Sequence, residues 1–227
     1  LLATLATLLL IHRVIRGEGG SHRSGLIAAG IYAACFELGG AWLDIGRVDS
    51  LMVALLLAGL LLLRHATTSR QAILAGAILA LGFFTKQTVL VAVAPVLAWQ
   101  LLSRPRLGLA CLGSFAGLLV ISTLLMNQLS SGWYSYYVFE LPRQHAIAHE
   151  YLLGFWWRDL LRPLPIMVLM TAAGVGLLWR DADHEERNYR SGFFLALLGG
   201  CLAASWFSRL HSGGYDNVLL PAYLAVA

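Results

Sequence analysis

Apolar residues run in repeated blocks of roughly 15 to 20, the length an α-helix needs to cross a bilayer, parted by short polar interruptions. Leu1 to Ile11 is the tail of one such block, and His12 to Ser24, with Arg13, Arg16 and Arg23, is a loop. Leu26 to Leu43 and Val48 to Leu63 are the next two predicted spans, the latter closed by Arg64, Thr67, Thr68, Ser69 and Arg70. Ala72 to Phe84 and Val89 to Leu102 flank Thr85-Lys86-Gln87-Thr88; Ser103-Arg104-Pro105-Arg106 is a tight turn before Leu107 to Met126. A long polar and aromatic stretch, Asn127 to Arg162, precedes the predicted spans Leu164 to Trp179 and Phe193 to Phe207, which the charged loop Arg180 to Arg190 separates. Ser208 to Asn217 is a polar turn, and Val218 opens a further span.

The pattern predicts an all-α, polytopic transmembrane bundle with about seven complete spans and partial spans at both ends. The whole chain, 1–227, is expected to be one domain, cut from the middle of a longer protein, with 127–162 as an external aromatic loop. Within that loop Arg143 to Leu161 has the pattern of an amphipathic helix lying in the interface. Ala72 to Leu102 is predicted to be a hairpin, not one overlong helix. A single helix would leave Lys86 at mid-bilayer, at a cost of roughly 3 kcal/mol or more. Both arms are short for a bilayer of about 30 Å, so the tip belongs below the surface, in a protein-lined cavity.

Lysine and arginine divide unevenly between alternate loops. Ten fall in the set that holds Arg64, Arg104 and Arg180, and six in the set that holds Arg47, Lys86 and Arg209. The positive-inside rule puts the first set in the cytoplasm. Composition agrees with a membrane protein: 59% of residues are hydrophobic and 12% charged, about half the charge of a soluble domain. The net charge of +4 is scattered between spans, which argues against nucleic acid as a partner. Cys35, Cys111 and Cys201 sit inside apolar runs and read as small buried hydrophobes.

The polar groups of interest return to the non-cytoplasmic end. Asp44, Arg47 and Asp49 lie within Trp42 to Ser50, where two spans meet water. Asp44 and Arg47 are spaced as a local ion pair, and Asp49-Ser50 suits a helix N-cap. Lys86 at the hairpin tip is either a snorkelling lysine or the partner of an anion. Glu37, two helical turns before Asp44, faces either a cavity or one interhelical hydrogen bond. Trp133-Tyr134-Ser135-Tyr136-Tyr137 and Phe155-Trp156-Trp157 suit an interfacial belt and would also stack on sugar rings. His145 and His149, with Glu150 next, have a spacing that can hold a metal. The pattern is not the zincin one and has no evident third ligand, so no metal-site residue and no cofactor are assigned; a divalent cation stays possible.

Gly46-Arg47-Val48-Asp49-Ser50-Leu51 at the opening of a span resembles the R-x-D-x-L segment of the C-type (GT-C) membrane glycosyltransferases. The nearest group is the bacterial family 39 and ArnT-like enzymes, relatives of the protein O-mannosyltransferases. Phe83-Phe84-Thr85-Lys86 resembles their F-x-T-K turn, and Tyr215 to Pro221 resembles their entry into a later span. The likeness follows the order of the spans along nearly the whole chain.

The resemblance implies transfer of a sugar from a polyprenyl-phosphate donor, with membrane lipid around it, on the outer face of a bacterial plasma (inner) membrane. It also implies an acidic catalytic base, or acceptor-orienting group, in an external loop before Leu1. On this chain Asp49 is the expected second acid of the catalytic site, with Asp44 in support. Lys86 is expected at the lipid phosphate, with Arg47, Arg209, Glu37 and Tyr215 as further substrate-binding residues. A transporter or flippase for a lipid-linked or polar solute is the alternative, and a non-catalytic assembly subunit a third. The chain shows no clear internal repeat of the kind transporters carry.

Overall fold

Sequence punctuation sets the helix ends. The computed structural model describes residues 1–41, 43, 45–180 and 185–227. The first six helices are α1 (Leu2–Gly17), α2 (His22–Ala34), α3 (Val48–Arg64), α4 (Ser69–Thr85), α5 (Val89–Ser103) and α6 (Pro105–Leu129). Thr68 starts α4 with a capping box: its hydroxyl accepts from Gln71 N at 3.3 Å, and Gln71 Oε1 accepts from Thr68 N at 3.1 Å. Pro105 occupies the first turn of α6, where its missing N–H costs nothing. At Lys86 the backbone is extended, with φ −160° and ψ 126°, and α4 ends.

The segment after α6 is broken. It holds α7 (Trp133–Ser135), a wide π turn (Tyr136–Glu140), α8 (Leu141–Arg143), α9 (Tyr151–Gly154) and a second π turn (Phe155–Leu161). The chain then bends by 97° into α10 (Pro165–Arg180). It continues through α11 (Glu185–Arg209) and a 3-10 turn (Asp216–Leu219) into α12 (Leu220–Val226). No strand longer than an isolated bridge occurs among the described residues. The all-α bundle is therefore as expected.

Several boundaries differ from the sequence expectation. The span predicted as Leu26 to Leu43 stops at Ala34. Gly39-Gly40 follows, Gly40 has φ 71° and Ala41 φ 58°, and this left-handed geometry cannot continue a helix. Polar residues from His12 to Arg16 continue α1 instead of making a loop, because arginine and histidine do not break helices. The predicted interfacial helix Arg143 to Leu161 is helical only from Tyr151 onward. Its first part is drawn off by backbone pairing: Ala148 N donates to Leu210 O at 2.7 Å and Ser212 N to Ala146 O at 2.9 Å.

The core runs through the middle of α3, where Met52, Val53, Leu56, Leu60 and Leu63 are buried, and is shared with α4, α5 and α11. Small residues let backbones touch, as membrane bundles require. A Cβ on Gly76 of α4 would stand 2.3 Å from Cys111 O of α6, and one on Gly200 of α11 would stand 2.1 Å from Ala92 O of α5. One side of α6 exposes Val120, Ile121, Leu124 and Leu125. Among the described residues, α6 and Asn188–Arg209 of α11 are long and apolar enough to cross a bilayer as single helices. α4 and α5, with 17 and 15 residues, span only about 22 to 26 Å at 1.5 Å per residue.

Polar contacts collect at two opposite ends. At one, Arg64 Nε lies 3.0 Å from Glu18 Oε1, and the Arg64 and Arg104 guanidinium carbons stand 4.9 and 3.7 Å from the centre of the Tyr189 ring. The other end gathers Arg47, Asp49, Lys86 and Arg209. Since Arg64 and Arg104 meet at one end and Lys86 lies at the other, α4 and α5 form the predicted hairpin.

Candidate functional site

Asp49 stands in the first turn of α3 and is completely buried. A buried carboxylate loses several kcal/mol of hydration, so it must collect donors. Lys86 Nζ, from the tip between α4 and α5, lies 2.5 Å from Asp49 Oδ1. Asn217 Nδ2, from the 3-10 turn before α12, donates to the same oxygen at 2.8 Å. Arg47 Nε, from the residue that precedes α3, stands 3.5 Å from Oδ2. Three separate stretches of chain thus converge on one carboxylate.

The two cations differ from the anion in exposure. The Asp49 side chain is 1% exposed, that of Lys86 19% and that of Arg47 53%. Both cations line an open cavity of about 420 Å³. Gln87 and Thr88 extend its wall along the hairpin tip, and Ser208, His211 and Asn217 form the facing wall. His145 and Pro142 enter from the external segment. Among the described residues, Lys86 and Arg47 are the cations on the cavity wall, and Asp49 lies behind them.

Arg209 is held in a second network. It binds Asp159 through both arms of the fork, Nε to Oδ2 at 2.9 Å and Nη2 to Oδ1 at 3.1 Å. Nη1 donates to Gly214 O at 2.8 Å, Nη2 lies 3.1 Å from Asp216 Oδ1, and the Tyr151 ring covers the guanidinium at 4.5 Å. The group is 8% exposed and is not part of the cavity wall. Its hydrogen bonds tie the external segment to α11 and the turn before α12.

The remaining expected residues separate. Glu37 is exposed on the turn after α2, where Gly40 N donates to its carbonyl at 2.9 Å. The helix has already ended at Ala34, and Glu37 does not line the cavity. Tyr215 is 69% exposed, next to the cavity but outside its wall. Asp44 lies outside the described residues. Among the described residues no group of three or more His, Cys, Asp or Glu is placed to hold a metal ion.

Sequence reasoning gave no role to Asn217, Asp159 or His211, and weighed His145 for a metal and not for the cavity wall. Asn217 carried a usable signal, standing two residues after Tyr215 in the stretch that carries the resemblance. Asp159 carried none, since its partner lies 50 residues away.

The family model described as dolichyl-phosphate-mannose-protein mannosyltransferase matches residues 1–127, more than half of the chain. No curated protein and no solved structure matches. The matched part runs from α1 nearly to the end of α6 and contains Arg47, Asp49 and Lys86; the facing wall of the cavity lies beyond it.

Proposed function

The chain belongs to the dolichyl-phosphate-mannose-protein mannosyltransferase family, and from that premise we propose that the cavity beside Lys86 is where a sugar leaves its lipid carrier. The chain is a membrane-integral glycosyltransferase of the C type, with a polyprenyl-phosphate sugar as donor. What supports the location is the contact of Lys86 with Asp49 at the cavity wall, 2.5 Å long.

The chemistry is a displacement at the anomeric carbon. An acceptor oxygen bonds to that carbon, the bond from carbon to phosphate oxygen breaks, and its electron pair stays on the phosphate. Negative charge grows there, and fixed cations aimed at it lower the barrier. Lys86 and Arg47 are the cations in our reading. Asp49 is too deeply covered to take a proton from an acceptor; its role is to position Lys86 and Arg47. Arg209 holds the external segment over the cavity and leaves the phosphate to the other two cations. From the external segment, Val138, Pro142 and His145 close one side of the cavity.

The end with fewer lysines and arginines faces away from the cytoplasm by the positive-inside rule, which supports our reading of transfer on the non-cytoplasmic face; a bacterial plasma membrane is the setting the family resemblance implies. Replacing Lys86 by Gln in the full-length protein tests the reading. Transfer drops by about 10²- to 10³-fold, the usual effect of deleting one preorganised charge-stabilising group, while the protein still inserts. Unchanged transfer would remove Lys86 from the site.

A further inference from the structure

A sugar is joined to its carrier's phosphate through one oxygen, so a phosphate held at Lys86 puts the sugar in the same cavity. That cavity, about 420 Å³, is within the usual size of a small-molecule site. Opposite Lys86 its lining changes character. His145 enters from the external segment, Phe207 and Ser208 from the end of α11, and His211 from the turn that follows.

Both imidazoles are fixed in place. His145 Nδ1 lies 3.1 Å from Ser212 O and His211 Nδ1 2.8 Å from Phe207 O. A carbonyl only accepts, so each Nδ1 carries a proton. The backbone that bears them is pinned as well. Ile147 and His211 form an antiparallel bridge, closed by Ala148 N to Leu210 O at 2.7 Å and Ser212 N to Ala146 O at 2.9 Å. Nε2 of each ring has no hydrogen-bond partner among the described residues. A sugar hydroxyl both donates and accepts, so it bonds to Nε2 whether that nitrogen bears a proton or a lone pair. A pyranose also has an apolar C–H face, and Phe207, exposed on the cavity wall, presents a ring to it.

We propose that His145 and His211 bind the ring hydroxyls of the donor's sugar through Nε2, with Phe207 against its C–H face. This rests on the cavity being the donor site. It divides the labour along the chain. Lys86, which meets the phosphate, lies in the part that the family model matches, residues 1–127, and the three sugar-binding residues lie beyond it. Recognition of the carrier is then the shared property, and choice of sugar belongs to the external segment and the end of α11.

Carrier esters of equal phosphate charge isolate the sugar. The full-length protein in detergent micelles is titrated with polyprenyl methyl phosphate and with the mannosyl, glucosyl and galactosyl phosphates of the same polyprenol. At least one hexosyl ester is expected to bind about tenfold or more tighter than the methyl ester, the effect of two neutral hydrogen bonds. The double variant His145→Phe, His211→Phe keeps ring shape and loses the nitrogens. In it that advantage disappears while the methyl ester binds as before; Lys86→Gln weakens every ester alike. Equal binding of all esters by the wild-type protein, or an advantage that survives in the double variant, overturns the proposal and leaves the donor site standing. Failure of the methyl ester to bind, or methyl ester binding that Lys86→Gln leaves unchanged, overturns the donor site and the proposal together. Should the double variant lose the methyl ester as well, labelling of the wild-type protein decides. The hexosyl ester then shields His145 and His211 from diethyl pyrocarbonate where the methyl ester does not, read by peptide mass spectrometry, and equal labelling overturns the proposal.

Discussion

Asn217 and Asp49 are 168 positions apart in the chain, and their side chains meet at 2.8 Å. The carboxylate that orders Lys86 and Arg47 is therefore completed by a residue beyond the part of the chain the family model matches. Replacing Asn217 by Ala leaves Lys86 and Arg47 as the partners of a buried anion. A hydrogen bond to a charged group contributes about 1.5 to 3 kcal/mol. We expect transfer to fall by about tenfold or more, with an unchanged response to acceptor concentration, measured as initial rates against donor and acceptor separately.

The pair Asp49–Lys86 is expected to be coupled in stability. Removing one partner of a buried pair costs about 3 to 5 kcal/mol when the other charge is left without compensation; here Asp49 keeps Asn217 and Arg47, so the loss falls below that figure. Lys86→Met should lower the thermal midpoint in detergent more than the double change Lys86→Met, Asp49→Leu. Both variants should lack transfer. A double variant no more stable than Lys86→Met would show that the two groups do not share a site.

Arg209→Lys separates scaffold from substrate contact. Lysine keeps the charge and loses the fork that grips Asp159. Expected is a lower melting temperature and a constant donor KM per folded molecule. A raised donor KM with undiminished stability would return Arg209 to the phosphate.

Gly76→Val should weaken the seam between α4 and α6. Its Cβ would meet Cys111 O at 2.3 Å, so the backbones must part and the hairpin tip shifts with α4. Loss of both folded yield and transfer is expected, measured by size-exclusion recovery and activity. The neighbouring change Ala77→Val, which adds two carbons one position away from that seam contact, is the control.

Much of the architecture was legible because bilayer-crossing helices announce themselves by length and apolarity. The break at Lys86 and the alternation of charged ends followed from the cost of burying an amine in lipid. What stayed hidden was any partner chosen across long sequence separation. Asp159 reads as one acid in an aromatic run until α11 brings Arg209 against it. Arg209 looked like a spare cation for the same reason. Helix ends near Gly39-Gly40 were misplaced because apolarity continues past the point where the backbone turns. The strap from Ala146 to Ala148 looked amphipathic, and pairing with 210–212 outweighed that tendency.

The short arms of the hairpin have a consequence for the surrounding lipid. A bilayer of ordinary thickness overshoots α4 and α5 by about 4 to 8 Å on the figures for rise and hydrocarbon depth. The membrane must therefore dimple beside them, at a fraction of a kcal/mol per ångström of mismatch. That dent lowers headgroups and water toward the Lys86 tip, giving the carrier's phosphate and a hydrophilic acceptor a sideways approach. Turnover in vesicles should accordingly fall as acyl chains lengthen, tying the enzyme's rate to the thickness of the membrane it inhabits.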